Sequence, residues 1–195
     1  MLPLILGWAL LLPQSSLKPS AVIDQKVDLN STLAEIRSDG STPKLNLAEI
    51  KGDKPLVLFF FSEQCGVTFF YKDRIRRLQR DFEPLGFRFI GVRGGKRESP
   101  DQPLTVAETN YLNMKFVDDA DGALVKQFAV GQSVTFEVID SAGFLRYRGA
   151  FDNNVTEKRV TQTYLRSAMQ ALIAGKPVAV KSGRSLGCAI IPIQP

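Results

Sequence analysis

An α/β domain, with a mixed sheet covered by helices on both faces, is predicted by three observations. Leu56 to Phe61 is apolar at every position, as a strand buried on two sides requires. A helical pattern follows it, and Phe87 to Val92 then reads as a second buried strand, which is the order of a parallel β-α-β unit. Two more strand signals, Val134 to Ile139 and Phe144 to Phe151, flank Asp140-Ser141-Ala142-Gly143 and form a hairpin pattern. With 195 residues and 44% apolar content, the chain can bury one full core and nothing in it demands a second folded domain.

Taken in order, the elements begin with an apolar run from Leu2 to Leu12, closed by Pro13, Gln14, Ser15 and Ser16. It is shorter than the roughly 20 helical residues needed to span a bilayer, so it reads as an export signal, residues 1–21, with cleavage expected between Ser16 and Ala21. An uncleaved interfacial anchor, or a start placed too late so that a basic region is missing, are the competing readings. The folded domain is expected over residues 22–176. Its first feature is a hairpin within Glu35 to Gly52, turned at Ser38-Asp39-Gly40-Ser41 and continued by the alternation Leu45, Leu47.

After the first central strand, a helix is predicted with Phe69, Ile75, Leu78 and Phe82 on its apolar side and Lys72, Arg76 and Arg80 on another. Pro84 and Gly86 end it. Gly94 to Pro103 reads as a polar loop, Leu104 to Leu112 as a short helix, and Asp121 to Phe128 as another, opened by the carboxylates Asp118, Asp119 and Asp121 acting as caps. The last helix is expected from Val160 to Ala174, with Gly175 and Pro177 as its stop. Residues 177–195 are polar and glycine-rich, an extended arm whose end, Ala189-Ile190-Ile191, is apolar enough to dock on the domain.

Composition removes several kinds of chemistry. A net charge of +5 with acidic and basic residues interspersed signals solubility more than a nucleic-acid partner. Histidine is absent, which excludes Ser-His-Asp and Cys-His catalysis, and two cysteines are too few for a zinc site. Gly94-Gly95-Lys96 lacks the spacing of a phosphate loop, and no motif for a bound cofactor is present. The basic residues Arg74, Arg77, Arg93, Lys96 and Arg97 read as solvated surface.

What remains is thiol chemistry, and it centres on Cys65. This residue stands where the apolar strand ends and the helix begins. A helix start offers unpaired N–H groups and the positive end of the peptide dipole, both of which favour a thiolate. Thr68, three residues on, is placed to donate its hydroxyl to that sulfur, and Lys72 adds a nearby positive charge. The bland alternative is that Cys65 is a small buried hydrophobe and Thr68 an ordinary first-turn residue.

Three passages together resemble the thioredoxin-like fold, a three-layer α/β/α architecture with a mixed central sheet and an N-terminal hairpin. The likeness is to its redoxin branch, which includes alkyl hydroperoxide reductase and thiol-specific antioxidant proteins. The passages are Asp39-Gly40 through Lys54-Pro55 into Val57-Leu58-Phe59, then Phe61-Ser62-Glu63-Gln64-Cys65-Gly66, and finally Asp121-Gly122-Ala123-Leu124 onward through Phe136 to Asp140 and Gly143. The chain departs from the family pattern at identifiable positions. Thr68 replaces the second cysteine of the thioredoxin motif, Val67 the proline within it, and Gln64 the indole before it. Val134 occupies the place of the family's cis-proline, and a non-proline cis bond costs about 3 kcal/mol, so a trans bond is expected. Ser62 can stand for the hydroxyl that precedes a peroxidatic cysteine, without the proline further upstream.

The resemblance implies an exported, periplasmic or secreted, thiol oxidoreductase acting through Cys65 on a protein disulfide or a small peroxide. Its partners would be those substrates, with no nucleic acid and no stable membrane span. Export would place both thiols in an oxidising compartment. A Gly-Cys pair near the C-terminus is similar to tails of exported redoxin-like proteins, so the arm is expected to bring Cys188 to Cys65. A resolving role for Cys188, a static bridge, and two unpaired thiols all remain open. The rival reading is a redoxin-fold module that has lost catalysis and serves binding or structure.

Overall fold

The computed structural model describes residues 20–62, 65–94 and 112–190. Its backbone forms one eight-stranded sheet in the order β2-β1-β5-β4-β3-β6-β7-β8. The central strands are β3 (Leu56–Phe61) and β4 (Arg88–Arg93), parallel to each other and joined through α2 (Gly66–Phe82). β5 (Lys115–Asp118) continues the parallel set, and the hairpin β1 (Thr32–Ile36) and β2 (Lys44–Asn46) closes that edge antiparallel. On the other side β3 pairs antiparallel with β6 (Thr135–Ile139), which turns into β7 (Leu145–Ala150). The mixed sheet and its hairpin are as predicted.

Because β3 is buried on both faces, its alternate residues feed two cores. Val57, Phe59 and Phe61 pack with Tyr71, Ile75, Leu78 and Phe82 of α2 and with Leu165, Ala168 and Met169 of α4 (Tyr164–Ile173). Leu56, Leu58 and Phe60 face α1 (Leu47–Lys51) and α3 (Ala123–Gln127) with Leu47, Leu124 and Val125. Phe59 stacks on Phe136 across the β3–β6 pair, ring centroids 4.9 Å apart, a contact contributing about 1 kcal/mol beyond its area.

Several expectations need correcting. The alternation through Leu47 stops at Asn46, whose side chain accepts from the amides of Ala48 and Glu49 and starts α1, a helix absent from the sequence reading. Phe69 does not belong to the apolar face of α2; it is 56% exposed, and Tyr71 takes the inner position. Arg74 is not surface. It is buried against Asp152, donates to the carbonyls of Asn154 and Val155, and lies over the Tyr71 ring, whose hydroxyl also donates to Asp152. Arg93 is likewise buried and paired with Asp118 at 2.8 Å. The last helix begins at Tyr164, not near Val160, because the Asn153 side chain captures the amides of Thr161 and Gln162.

Asp119 and Asp121 act as the caps expected of them: Asp119 accepts from the amides of Leu124 and Val125, and Asp121 from Ala123. The apolar N-terminal run lies outside the described residues, as do the 95–103 loop and, except for Leu112, the 104–112 helix. Ala21 is already part of the fold: it is buried, its N–H donates to Gln127 and its carbonyl accepts from Arg148. Among the described residues no helix is long and apolar enough to cross a membrane.

The arm is held by short, separate contacts. Ser182–Gly183 forms β8, parallel to β7, and Gly149 makes that approach possible, since a Cβ there would stand 2.0 Å from the Gly183 carbonyl oxygen. The chain then crosses to the loop before β6. The Ser185 and Thr135 hydroxyls meet at 2.6 Å, Ala189 bridges to Gln132, and Ile190 buries itself beside Val125 in the second core.

Candidate functional site

Cys65 is the residue that caps α2, with extended backbone at φ −83°, ψ 100°. β3 ends four residues earlier, so the sheet fixes the approach and the 17-residue helix fixes the departure. The sulfur makes no hydrogen bond that caps its own helix. Instead the arm reaches it: the Cys188 N–H donates to Cys65 Sγ at 3.1 Å. The Cys188 carbonyl in turn accepts from the Ser133 N–H at 2.8 Å, and the Ile190 N–H donates to the Gly131 carbonyl. Arm and β6 loop thus form a short ladder over the thiol, and Cys65 is only 3% exposed. Both thiols are free, Cys65 buried and Cys188 exposed.

Burial alone would push the Cys65 thiol up. It is outweighed by polar groups lying around the sulfur, the Cys188 side chain, the Ser133 side chain, the Cys188 amide and the Thr68 amide, of which the Cys188 amide makes the hydrogen bond just described, and together they bring the thiol down to about 7. Cys188 moves the other way, its pKa raised by the neighbouring Cys65 sulfur. The two thiols are thus shifted in opposite directions, Cys65 down and Cys188 up.

Thr68 requires a correction. Its hydroxyl is buried and has no hydrogen-bond partner, so it does not donate to the sulfur. What Thr68 supplies is its backbone N–H, which bonds the Cys65 carbonyl at 2.9 Å and still favours the ionised sulfur by proximity. The physical reason is the cap geometry, which directs first-turn amides toward the cap residue. Lys72 stands over the Phe69 ring, 3.8 Å from its centroid.

The loop before β6 bears out the trans bond expected at Val134 and adds a conformation that sequence reasoning did not anticipate. Val134, at the place of the family's cis-proline, is trans but has φ +58°, a left-handed conformation that a β-branched residue rarely adopts. Such strain costs on the order of 1–3 kcal/mol and persists only where surroundings enforce it. Val134 is buried in the first core, and the residue before it, Ser133, is fully buried with its hydroxyl unpartnered among the described residues. No local pattern in Gly131-Gln132-Ser133-Val134 signals this. The sequence brought Cys65 and Cys188 forward as cysteines; Ser133 needed the arm's path.

Comparison with known proteins places this arrangement in a lineage. Residues 24–148 match the AhpC/TSA family model, and the chain belongs to that family. The fold is thioredoxin-like, and the site lies at the strand-to-helix junction. No curated protein matches the chain. Among solved structures it is similar to a hypothetical protein from Sinorhizobium meliloti 1021, at 23% identity and TM-score 0.70, over 88% of this chain and 98% of that one. An uncharacterized conserved protein from Geobacillus kaustophilus is similar at 22% identity and TM-score 0.71, over 89% and 94%. The reduced 2-Cys peroxiredoxin of Plasmodium vivax shares the fold at 17% identity and TM-score 0.55, over 78% and 97%.

Proposed function

We propose that this protein is an exported thiol oxidoreductase in which Cys65 is the nucleophile and Cys188 resolves it, reducing a small peroxide or a disulfide. The observation that carries the reading is the seat of the arm on Cys65, with the Cys188 N–H at 3.1 Å from a sulfur held near pKa 7. With a hydroperoxide, the Cys65 thiolate attacks the outer oxygen, the O–O bond breaks, and the departing alkoxide or hydroxide takes a proton. Cys65 is oxidised by two electrons to a sulfenic acid and the peroxide is reduced to alcohol or water. The Cys188 thiol then displaces the sulfenic oxygen as water, giving a Cys65–Cys188 disulfide, which an external dithiol reduces by exchange.

Burial of Cys65 favours small oxidants over folded protein disulfides. Export rests on the apolar Leu2 to Leu12 run. The alternative, a module without catalysis, draws on two observations: the arm roofs the thiol, and Val134 replaces the groove-shaping proline. The test treats the reduced protein with one equivalent of hydroperoxide and maps its peptides without reduction. A single Cys65–Cys188 disulfide, with peroxide consumption lost in Cys65→Ser, is the expected result. Peroxide and disulfide reagents both left unconsumed, with two free thiols, would sink the enzyme reading.

A further inference from the structure

We propose that Ser133 is a positioning residue for the Cys65 thiolate, its buried hydroxyl donating to the ionised sulfur only while the C-terminal arm is seated. The proposal rests on Cys65 being the nucleophile. Its first support is an unexplained group: the Ser133 hydroxyl is fully buried and unpartnered, although leaving a buried hydroxyl unbonded costs about 1–3 kcal/mol. The adjacent hydroxyl shows the contrast, since Thr135 donates to the Gln132 carbonyl at 2.7 Å and meets Ser185 at 2.6 Å.

Its second support is location. The Ser133 N–H holds the carbonyl of the very residue whose N–H donates to Cys65, so Ser133 and the sulfur are joined through one residue of the arm. The arm also encloses it: a Cβ at Gly187 would stand 2.6 Å from Ser133 Oγ and 2.0 Å from its carbonyl oxygen, so only glycine lets the arm pass so close. A neutral thiol is a weak acceptor and a thiolate a strong one. An O–H that rotates about its own bond therefore pairs with the sulfur on ionisation, which explains both the idle hydroxyl and its burial.

The expected consequence is a coupling between arm seating and thiol acidity. Cys188 faces the sulfur from the arm, and Lys72 projects from α2 over Phe69; replacing Ser133 leaves both in place. The test uses the full chain carrying Cys188→Ser, so that thiolate absorbance against pH reports Cys65 alone. In that parent, Ser133→Ala should raise the Cys65 pKa by about one unit, from near 7 a roughly fivefold smaller thiolate fraction at neutral pH. A low parent value with no rise in Ser133→Ala overturns the role of Ser133 and leaves the function standing. A parent value of about 8.5 or above removes the thiolate, and both fall. Should Ser133→Ala lose its cooperative thermal transition, Ser133→Thr keeps the hydroxyl and must titrate with the parent; a rise there overturns the proposal.

Discussion

Two regions hold the Cys65 sulfur, and they do so by different means. The junction of β3 and α2 fixes where the sulfur is, through a strand buried on both faces and a helix pinned by the Arg74–Asp152 pair. The arm and the β6 loop determine what touches it, through the Cys188 amide and the enclosure around Ser133. Position is thus a local product of the chain and chemical environment a non-local one. The helix start alone gives the sulfur no direct hydrogen bond. The hydrogen bond the sulfur does receive comes from a residue 123 positions away in sequence that returns to it.

The sharpest way to break this division is to loosen one region and watch the other. Asp152→Ala leaves the Arg74 guanidinium buried with its carboxylate partner gone, and should destabilise the fold by about 3–5 kcal/mol in denaturant titration. Below the transition, the alkylation rate of Cys65 should stay close to that of the parent. A variant that kept parental stability would show that the pair does not pin α2.

Ile190→Ala loosens the other region. Ile190 is buried at the end of the arm beside Val125, and its truncation should cost about 2–3 kcal/mol at most, less if the arm detaches before the domain unfolds. Here the expected signature is reversed: Cys65 alkylates several-fold faster under native conditions, because the roof opens. Unchanged alkylation in Ile190→Ala would mean that the arm does not control access to the thiol.

The same contrast explains what was legible in the sequence. β3, α2, β4 and the β6–β7 hairpin were readable because each is encoded in consecutive residues: an unbroken apolar run, a helical period, an Asp-Ser-Ala-Gly turn. Cys65 at the helix start was readable for the same reason. α1 was missed because its one signal, Asn46 as a cap, sits inside what looked like a strand alternation. Arg74 and Arg93 were misread because charge on a helix or strand end normally means solvent, and only the tertiary partners Asp152 and Asp118 show otherwise. Ser133 and the left-handed Val134 carry no local signal at all, since what surrounds them is distant in sequence: the first core around Val134, and an arm more than fifty residues later around Ser133. The pairing of arm with thiol was anticipated from a family likeness and from the apolar Ala189-Ile190-Ile191, not from any spacing.

The smallest effect separates the two regions by pH. Cys65 has a folded pKa lowered to about 7 from 9.0, so between those values the unfolded chain binds a proton that the folded chain does not. Its contribution is therefore fully present above pH 9 and lost as pH falls through about 7, a rise of about 2–3 kcal/mol across that window in the reduced protein. Glu137, on β6, has the opposite sign. Burial raises its carboxyl from 4.5 to about 8 in spite of the Arg148 pair, so the folded chain holds the extra proton and stability declines across that interval. Reduced Cys65→Ser should lose the rise between pH 7 and 9 while keeping the decline below it, and Glu137→Gln should do the reverse. Parallel stability curves for Cys65→Ser and the parent would mean that the arm's donors do not hold a thiolate, and the site would reduce to a buried cysteine at a well-placed junction.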